Sequence, residues 1–98
     1  MFAIEIAEDG SVTVEGRLDA AQAVKAQDFL DQVEGPCVLD LAKLAYVSSA
    51  GLGVLLKTHK RLMGSGSGIK LINVNNHIHD IFRYSGFDKL FEITPASD

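Results

Sequence analysis

The chain has 98 residues, of which 47% are hydrophobic and 22% are charged, and its net charge is −4. This composition excludes a disordered chain, and the excess of acidic over basic residues excludes non-specific nucleic-acid binding. Because the chain shows neither a signal peptide nor an apolar run of about 18 residues, we expect a soluble cytoplasmic protein with no membrane contact. Its length predicts a single domain over residues 1–98, and we expect it to be a monomer.

The first two predicted elements form a β-hairpin. "FAIEIA" alternates, with Phe2, Ile4 and Ile6 on one face, which is typical of a half-buried strand. The turn signal "EDG" follows, and "SVTVEG" then alternates again with Val12 and Val14 inward.

A helix is predicted next, with Asp19 as its N-cap and Gly35-Pro36 as its end. One apolar face of this helix contains Ala23, Val24, Phe29, Leu30 and Val33.

The middle of the chain predicts a buried strand followed by a long helix. "CVLDL" is nearly continuous in apolar residues, so we expect a strand covered on both faces, with the single cysteine, Cys37, as a buried thiol. After "YVSSAG", a helix over Ala50–Met63 has a predicted apolar side made of Leu52, Leu55, Leu56, Leu62 and Met63.

The last part of the chain predicts a further strand, a short helix and an edge strand. "GSGSG" is a flexible loop by composition, and "IKLINV" is a strand. "NNHIHDIFRYSG" is a helix with Ile78, Ile81 and Phe82 inward and Gly86 as its end, and "FDKLFEI" closes the chain.

This order predicts an α/β fold. We expect an open mixed sheet of about four or five strands, with an N-terminal hairpin and helices packed over it. The later strands, each connected through a helix, should be parallel.

Two adjacent serines, Ser48 and Ser49, lie where a strand meets a helix, which is where function concentrates in open α/β sheets. Ser49 is a candidate cap of the helix and also a candidate phosphate acceptor. The first role does not exclude the second. A nucleophile elbow is disfavoured because the glycine that normally precedes such a serine is missing. Gly51 and Gly53 either keep the first turns bare for a partner or let the helix pack closely on the sheet.

Several segments together resemble the STAS domain of bacterial anti-sigma factor antagonists. "VLDLAKLAYVSSAGLGVLL" is similar to the signature of that family, in which an apolar strand and Asp-Leu precede a serine-rich turn into a helix. "VEGRLDAAQA" resembles its Gly-x-Leu-Asp turn, and "IKLINVNNHIHDIFRYSGFDKLFEI" resembles its closing segments. The chain departs from the family by having Ser48 where many members have Asp and Ala50 where many have Ser.

The resemblance implies a binding protein rather than an enzyme, without cofactor or metal. The unphosphorylated chain would bind a serine-kinase anti-sigma factor. Phosphorylation of Ser49, with Ser48 as the alternative acceptor, would release it, and a PP2C-type phosphatase would reset it. The implied partner surface contains Asp19, Ser48, Ser49, Ala50, Gly51 and Gly53. The alternative is a non-phosphorylated STAS subunit that docks in a bacterial lipid-transport ATPase complex.

Other polar and aromatic residues have simpler interpretations. His77 and His79 are too close in sequence to share a helix face, so solvated or capping histidines are favoured over a metal site. Tyr46 and Tyr84 are interpreted as packing residues. The basic residues of the long helix, Lys57, Lys60 and Arg61, either meet an acidic partner or form a solvated face.

Overall fold

The computed structural model describes residues 1–96, so residues 97 and 98 of the expected domain lie outside this range. Six strands and three α-helices follow one another along these residues, with two pairs of consecutive strands. The elements are β1 (Phe2–Ile6), β2 (Val12–Leu18), α1 (Ala23–Leu30), β3 (Cys37–Asp40), β4 (Leu44–Val47), α2 (Ser49–Gly64), β5 (Ile69–Val74), α3 (Asn76–Ser85), a 3₁₀ turn (Phe87–Lys89) and β6 (Glu92–Pro95).

The strands form one mixed sheet in the order β1-β2-β3-β5-β6, with β4 also paired to β2. β1 and β2 form the predicted antiparallel hairpin, and the other pairs are parallel as predicted. The small α/β fold with a mixed sheet is therefore confirmed.

The sheet has one strand more than the four or five expected, because the region before the serines contains two strands. The Asp40 carboxylate accepts the backbone amide of Ala42 at 3.0 Å and turns the chain out of β3. β2 pairs with β3 at Val12 and Thr13 and with β4 from Gly16 to Leu18, and the β2–β4 register shifts between Gly16 and Arg17. The expectation that "CVLDL" is covered on both faces is wrong for Val38 and Asp40, which are only half-buried.

The helices bury narrower faces than the sequence pattern predicts. In α1 only Ala26 and Leu30 are fully buried, whereas Val24 is 70% exposed, so its inward placement is wrong. In α2 the predicted side is correct at Leu52, Leu55 and Leu62 but wrong at Met63, which is exposed near the end of the helix.

The last helix follows its prediction closely and completes the core. Ile78 and Phe82 are fully buried, Ile81 packs against the core, and Gly86 ends α3 in the left-handed conformation with φ of 80°. Asn75 caps the start of this helix through a 2.9 Å hydrogen bond from the Ile78 amide. The rigid core beneath the sheet-to-helix junctions holds the start of α2 in place.

Candidate functional site

Ser48 is the N-cap of α2. Its backbone is extended, with φ of −87° and ψ of 174°, and its hydroxyl accepts the Gly51 amide at 3.2 Å. Its own amide donates to the Leu18 carbonyl at 2.9 Å, and its carbonyl accepts the Leu52 amide at 2.8 Å. The bond to Leu18 attaches the start of the helix to the end of β2, and the other two bonds hold the first turn of the helix.

Ser49 is the first helical residue, so the expectation that it caps the helix is wrong. A capping residue needs non-helical backbone angles, which Ser48 has, and Ser49 already belongs to the first turn. The Ser49 side chain is exposed, and its hydroxyl has no hydrogen-bond partner within residues 1–96. The hydroxyl of Ser49 is therefore accessible to a reagent or a partner, while that of Ser48 accepts a hydrogen bond from the helix.

Gly51 and Gly53 have different surroundings. A Cβ at Gly51 would lie 2.7 Å from the Leu18 carbonyl oxygen and 2.8 Å from side-chain atoms of Leu18 and Val47, and the residue is buried. The expectation of a bare turn is wrong for Gly51, which allows close packing on the sheet. Gly53 is exposed, and a Cβ there would meet nothing within 4 Å, so Gly53 leaves the helix surface bare.

Asp19 and Ala50 border the same junction. Leu18 and Val47 are register partners on parallel strands, so the residues that follow them, Asp19 and Ser48, leave the sheet side by side. Asp19 is not the N-cap of α1; Gln22 occupies that position, and the Asp19 carboxylate accepts the Gln22 amide at 3.1 Å within the preceding turn. Ala50 is exposed beside Ser49.

The first turn of α2 favours negative charge. It has no acidic side chain. The first amides of a helix lack carbonyl partners within the helix, and of these the Gly51 amide donates to the Ser48 hydroxyl. The positive end of the helix dipole adds to the effect of these amides. An anionic group on the Ser49 oxygen would therefore meet a favourable field.

Two tyrosines that the sequence assigned to packing line a shallow depression next to the serines. Tyr46 is half-buried, and the Arg17 guanidinium lies 4.5 Å from its ring centre. Tyr84 is 82% exposed, so its assignment as a packing residue is wrong. Its exposure could have been predicted from the sequence, because Tyr84 lies about 200° around the helix from the inward-facing Phe82 at 100° per residue. The depression is lined by Tyr46, Val47, Ser48, Ser49, Leu52, Ile81, Tyr84 and Ser85.

Within residues 1–96, no three His, Cys, Asp or Glu side chains come together as a potential metal site. His77 is exposed and His79 half-buried near the start of α3, where Asn75 provides the cap. None of the helices in residues 1–96 has the length and apolar character that crossing a membrane requires.

Comparison with known proteins places this geometry in a family. A family model described as "Mlab, STAS domain" matches residues 4–94. The chain is 33% identical over 89 residues to BtrV of Bordetella bronchiseptica, described as an anti-sigma factor antagonist; the match covers 87% of this chain and 77% of BtrV. It is 31% identical over 86 residues to the anti-sigma-B factor antagonist of Listeria monocytogenes, covering 84% and 75% of the two chains.

Solved structures support the same assignment of the fold. The crystal structure of a protein from Thermotoga maritima, described as an anti-sigma factor antagonist, superposes with a TM-score of 0.77 at 21% identity. The match covers 96% of this chain and 86% of the other. The chain therefore belongs to the STAS-domain family.

Proposed function

We propose that this protein is a phosphorylation-switched binding protein of the anti-sigma factor antagonist type. The unphosphorylated form binds a serine-kinase anti-sigma factor in the cytoplasm, and transfer of phosphate to Ser49 releases it. A PP2C-type phosphatase restores the starting state. The observation that carries this proposal is the exposed, unengaged hydroxyl of Ser49 at the start of α2.

The difference between the two serines supports Ser49 as the acceptor. Phosphorylating Ser48 would modify the hydroxyl that accepts the Gly51 amide and so would disturb the existing cap of α2. Ser49 has no such bond to lose within the described residues, and its side chain already faces solvent. Ser49 is therefore the acceptor that costs the fold less.

The start of α2 also accounts for tolerance of the product. A phosphoserine carries about −1.5 to −2 charges at neutral pH, and the free amides and dipole at a helix N-terminus stabilise such charge. The first turn has no acidic side chain to oppose it. The domain thus has no physical reason to rearrange, and the effect falls on the partner.

The surface around Ser49 suits close approach by a protein. Ala50 and Gly53 are exposed and small, so a partner can reach the helix backbone there. Asp19 and Ser48 form the adjacent edge of this surface. Gly51 lies on the buried side of α2, where it lets the helix pack closely on Leu18. A phosphate would place new charge and bulk in the middle of this surface.

In the proposed reaction, the Ser49 oxygen attacks the γ-phosphorus of ATP bound to the kinase. The new O–P bond forms as the bond to ADP breaks, and the hydroxyl proton passes to the base of the kinase. Water and the phosphatase later cleave the serine–phosphate bond. This chain supplies the acceptor and its positioning, and no catalytic group, so we propose that it is not an enzyme.

The test is phosphate transfer. The purified chain is incubated with ATP and each serine-kinase anti-sigma factor of its own organism, and its intact mass is measured. We expect one kinase to add one phosphate, and a PP2C-type phosphatase to remove it. If every kinase leaves the mass unchanged, the proposal fails, and the non-phosphorylated docking subunit of a lipid-transport ATPase complex becomes the better account.

A further inference from the structure

Four exposed residues of α2 lie in one line that starts at Ser49. At 100° per residue, Gly53, Lys57 and Lys60 fall within about 80° of Ser49 around the helix axis. All four are exposed. We call Ser49, Gly53, Lys57 and Lys60 the α2 stripe. With a rise of 1.5 Å per residue, the two lysines follow Ser49 at about 12 and 17 Å along the axis.

The charge of α2 is one-sided. Its sequence, "SAGLGVLLKTHKRLMG", contains three basic residues and no acidic one, although the whole chain has a net charge of −4. Lys57 is three residues from Lys60 and four from Arg61, and like charges at these spacings destabilise a helix. No carboxylate within the helix offsets this repulsion.

The structure explains Arg61 but not the two lysines. Arg61 donates to the carbonyls of Leu30 and Val33 at 2.9 and 2.8 Å and so holds the end of α1. It also lies in the last turn of α2, where the helix dipole favours a cation. Lys57 lies mid-helix, and within residues 1–96 neither Lys57 nor Lys60 forms an ion pair.

We propose that the α2 stripe is one continuous partner surface, in which Lys57 and Lys60 receive carboxylates of the protein that takes Ser49 into its active site. This inference rests on the proposed function and adds the chemistry of the partner: an acidic patch about 12 to 17 Å from its phosphate-transfer site. The small residues at one end of the stripe allow close approach, and the lysines at the other end fix the direction in which the partner lies along α2.

A protein fits this surface better than an anionic membrane does. The net charge of −4 repels an acidic bilayer, and two lysines are few for lipid attachment, which uses clusters of basic residues. Complementary charge on a protein instead sets orientation and raises the association rate, more strongly at low salt.

The experiment measures binding of the kinase that phosphorylates the wild type to two charge-reversed variants. The test variant is Lys57→Glu with Lys60→Glu. The matched control is Lys43→Glu with Lys89→Glu, which reverses two exposed lysines elsewhere that form no ion pair in residues 1–96. Both variants take the net charge from −4 to −8, so a difference between them reports position rather than total charge.

We expect the test variant to bind at least about tenfold more weakly, with a slower association rate, and the control to stay within about threefold of wild type. Circular dichroism should show that the wild type, the test variant and the control are all folded. If the test variant is not folded, the milder Lys57→Ala with Lys60→Ala replaces it. Wild-type affinity should fall with added salt more steeply than that of the test variant.

Equal binding by test variant and control overturns the inference while leaving the proposed function intact. Failure of the wild type itself to bind any serine-kinase anti-sigma factor overturns both. Co-sedimentation of the wild type, but not the test variant, with phosphatidylglycerol vesicles at physiological salt would assign the stripe to a lipid surface and also overturn the inference.

Discussion

The Ser48 hydroxyl accepts the backbone amide of Gly51 at 3.2 Å and so caps the helix that Ser49 begins. One serine thus stabilises the junction, while the next presents its hydroxyl to solvent. This division of roles makes the two residues separable by substitution, although they are adjacent in the chain.

Ser48→Ala should lower the free energy of unfolding by about 1 kcal/mol because it removes the N-cap. Ser49→Ala should change it by less than about 0.5 kcal/mol, as expected of an exposed side chain without partners. Urea denaturation measures both. Ser48→Asp is the control, since Asp also caps helices well and should keep most of the stability. A larger loss for Ser49→Ala than for Ser48→Ala would contradict the observed cap.

The two glycines give a second matched pair. Gly51→Ala should destabilise by about 1–3 kcal/mol, because its Cβ would press on the fixed Leu18 carbonyl. Gly53→Ala should stabilise by up to about 1 kcal/mol, because alanine is the better helix former and meets nothing there. Thermal unfolding compares them, and a stabilising Gly51→Ala would show that the helix does not pack on β2 as described.

Burial raises the pKa of the Cys37 thiol above its ordinary value of 9.0, although the nearby Arg61 charge opposes part of this shift. The raised pKa favours the neutral thiol in the folded state. Its contribution to stability is thus complete below pH 9 and declines as the pH rises through the folded-state pKa. Cys37 should react with a thiol reagent such as dithionitrobenzoate far more slowly in the folded protein than in urea. Equal rates at neutral pH would contradict its burial.

Much of the fold was predictable because local signals agree with the tertiary structure. The "EDG" turn between alternating segments specified the hairpin, and the Gly86 stop specified the end of α3. The exposed positions of Val24 and Met63 were not predictable from hydrophobicity alone. They depend on where α1 begins and how α2 lies on the sheet, which are set by packing between distant segments.

The candidate site was predictable in position but not in detail. The sequence located the serines at a strand-to-helix junction, but the choice of cap depends on the backbone angles of Ser48, which hydrogen bonding to Leu18 helps to fix. The separate strand β4 depends on the turn at Asp40, after which the chain pairs with the second part of β2. The roles of Gly51 and Gly53 differ only through what lies beneath each, which a single sequence does not contain.

The choice of acceptor is tested with the partner kinase and ATP, followed by intact-protein mass spectrometry. Ser49→Ala should abolish incorporation of phosphate, whereas Ser48→Ala should keep it, provided that circular dichroism shows the variant folded. Fragment masses of the wild-type product should place the phosphate on Ser49. Retention of phosphate in Ser49→Ala together with its loss in Ser48→Ala would reverse the assignment.

Phosphate on Ser49 should release the partner without refolding the domain. The direct measurement is calorimetric titration of the kinase with wild-type, Ser49→Asp and phosphorylated protein, alongside their melting points. The new charge would face the phosphates of ATP in the kinase, and like-charge contacts cost several kcal/mol, so Ser49→Asp should bind at least about tenfold more weakly. The phosphorylated protein should bind more weakly still, because Asp has about half the charge of a phosphate. Melting points should stay near that of the wild type. Equal affinity of all three proteins for a kinase that binds the wild type would contradict the switch.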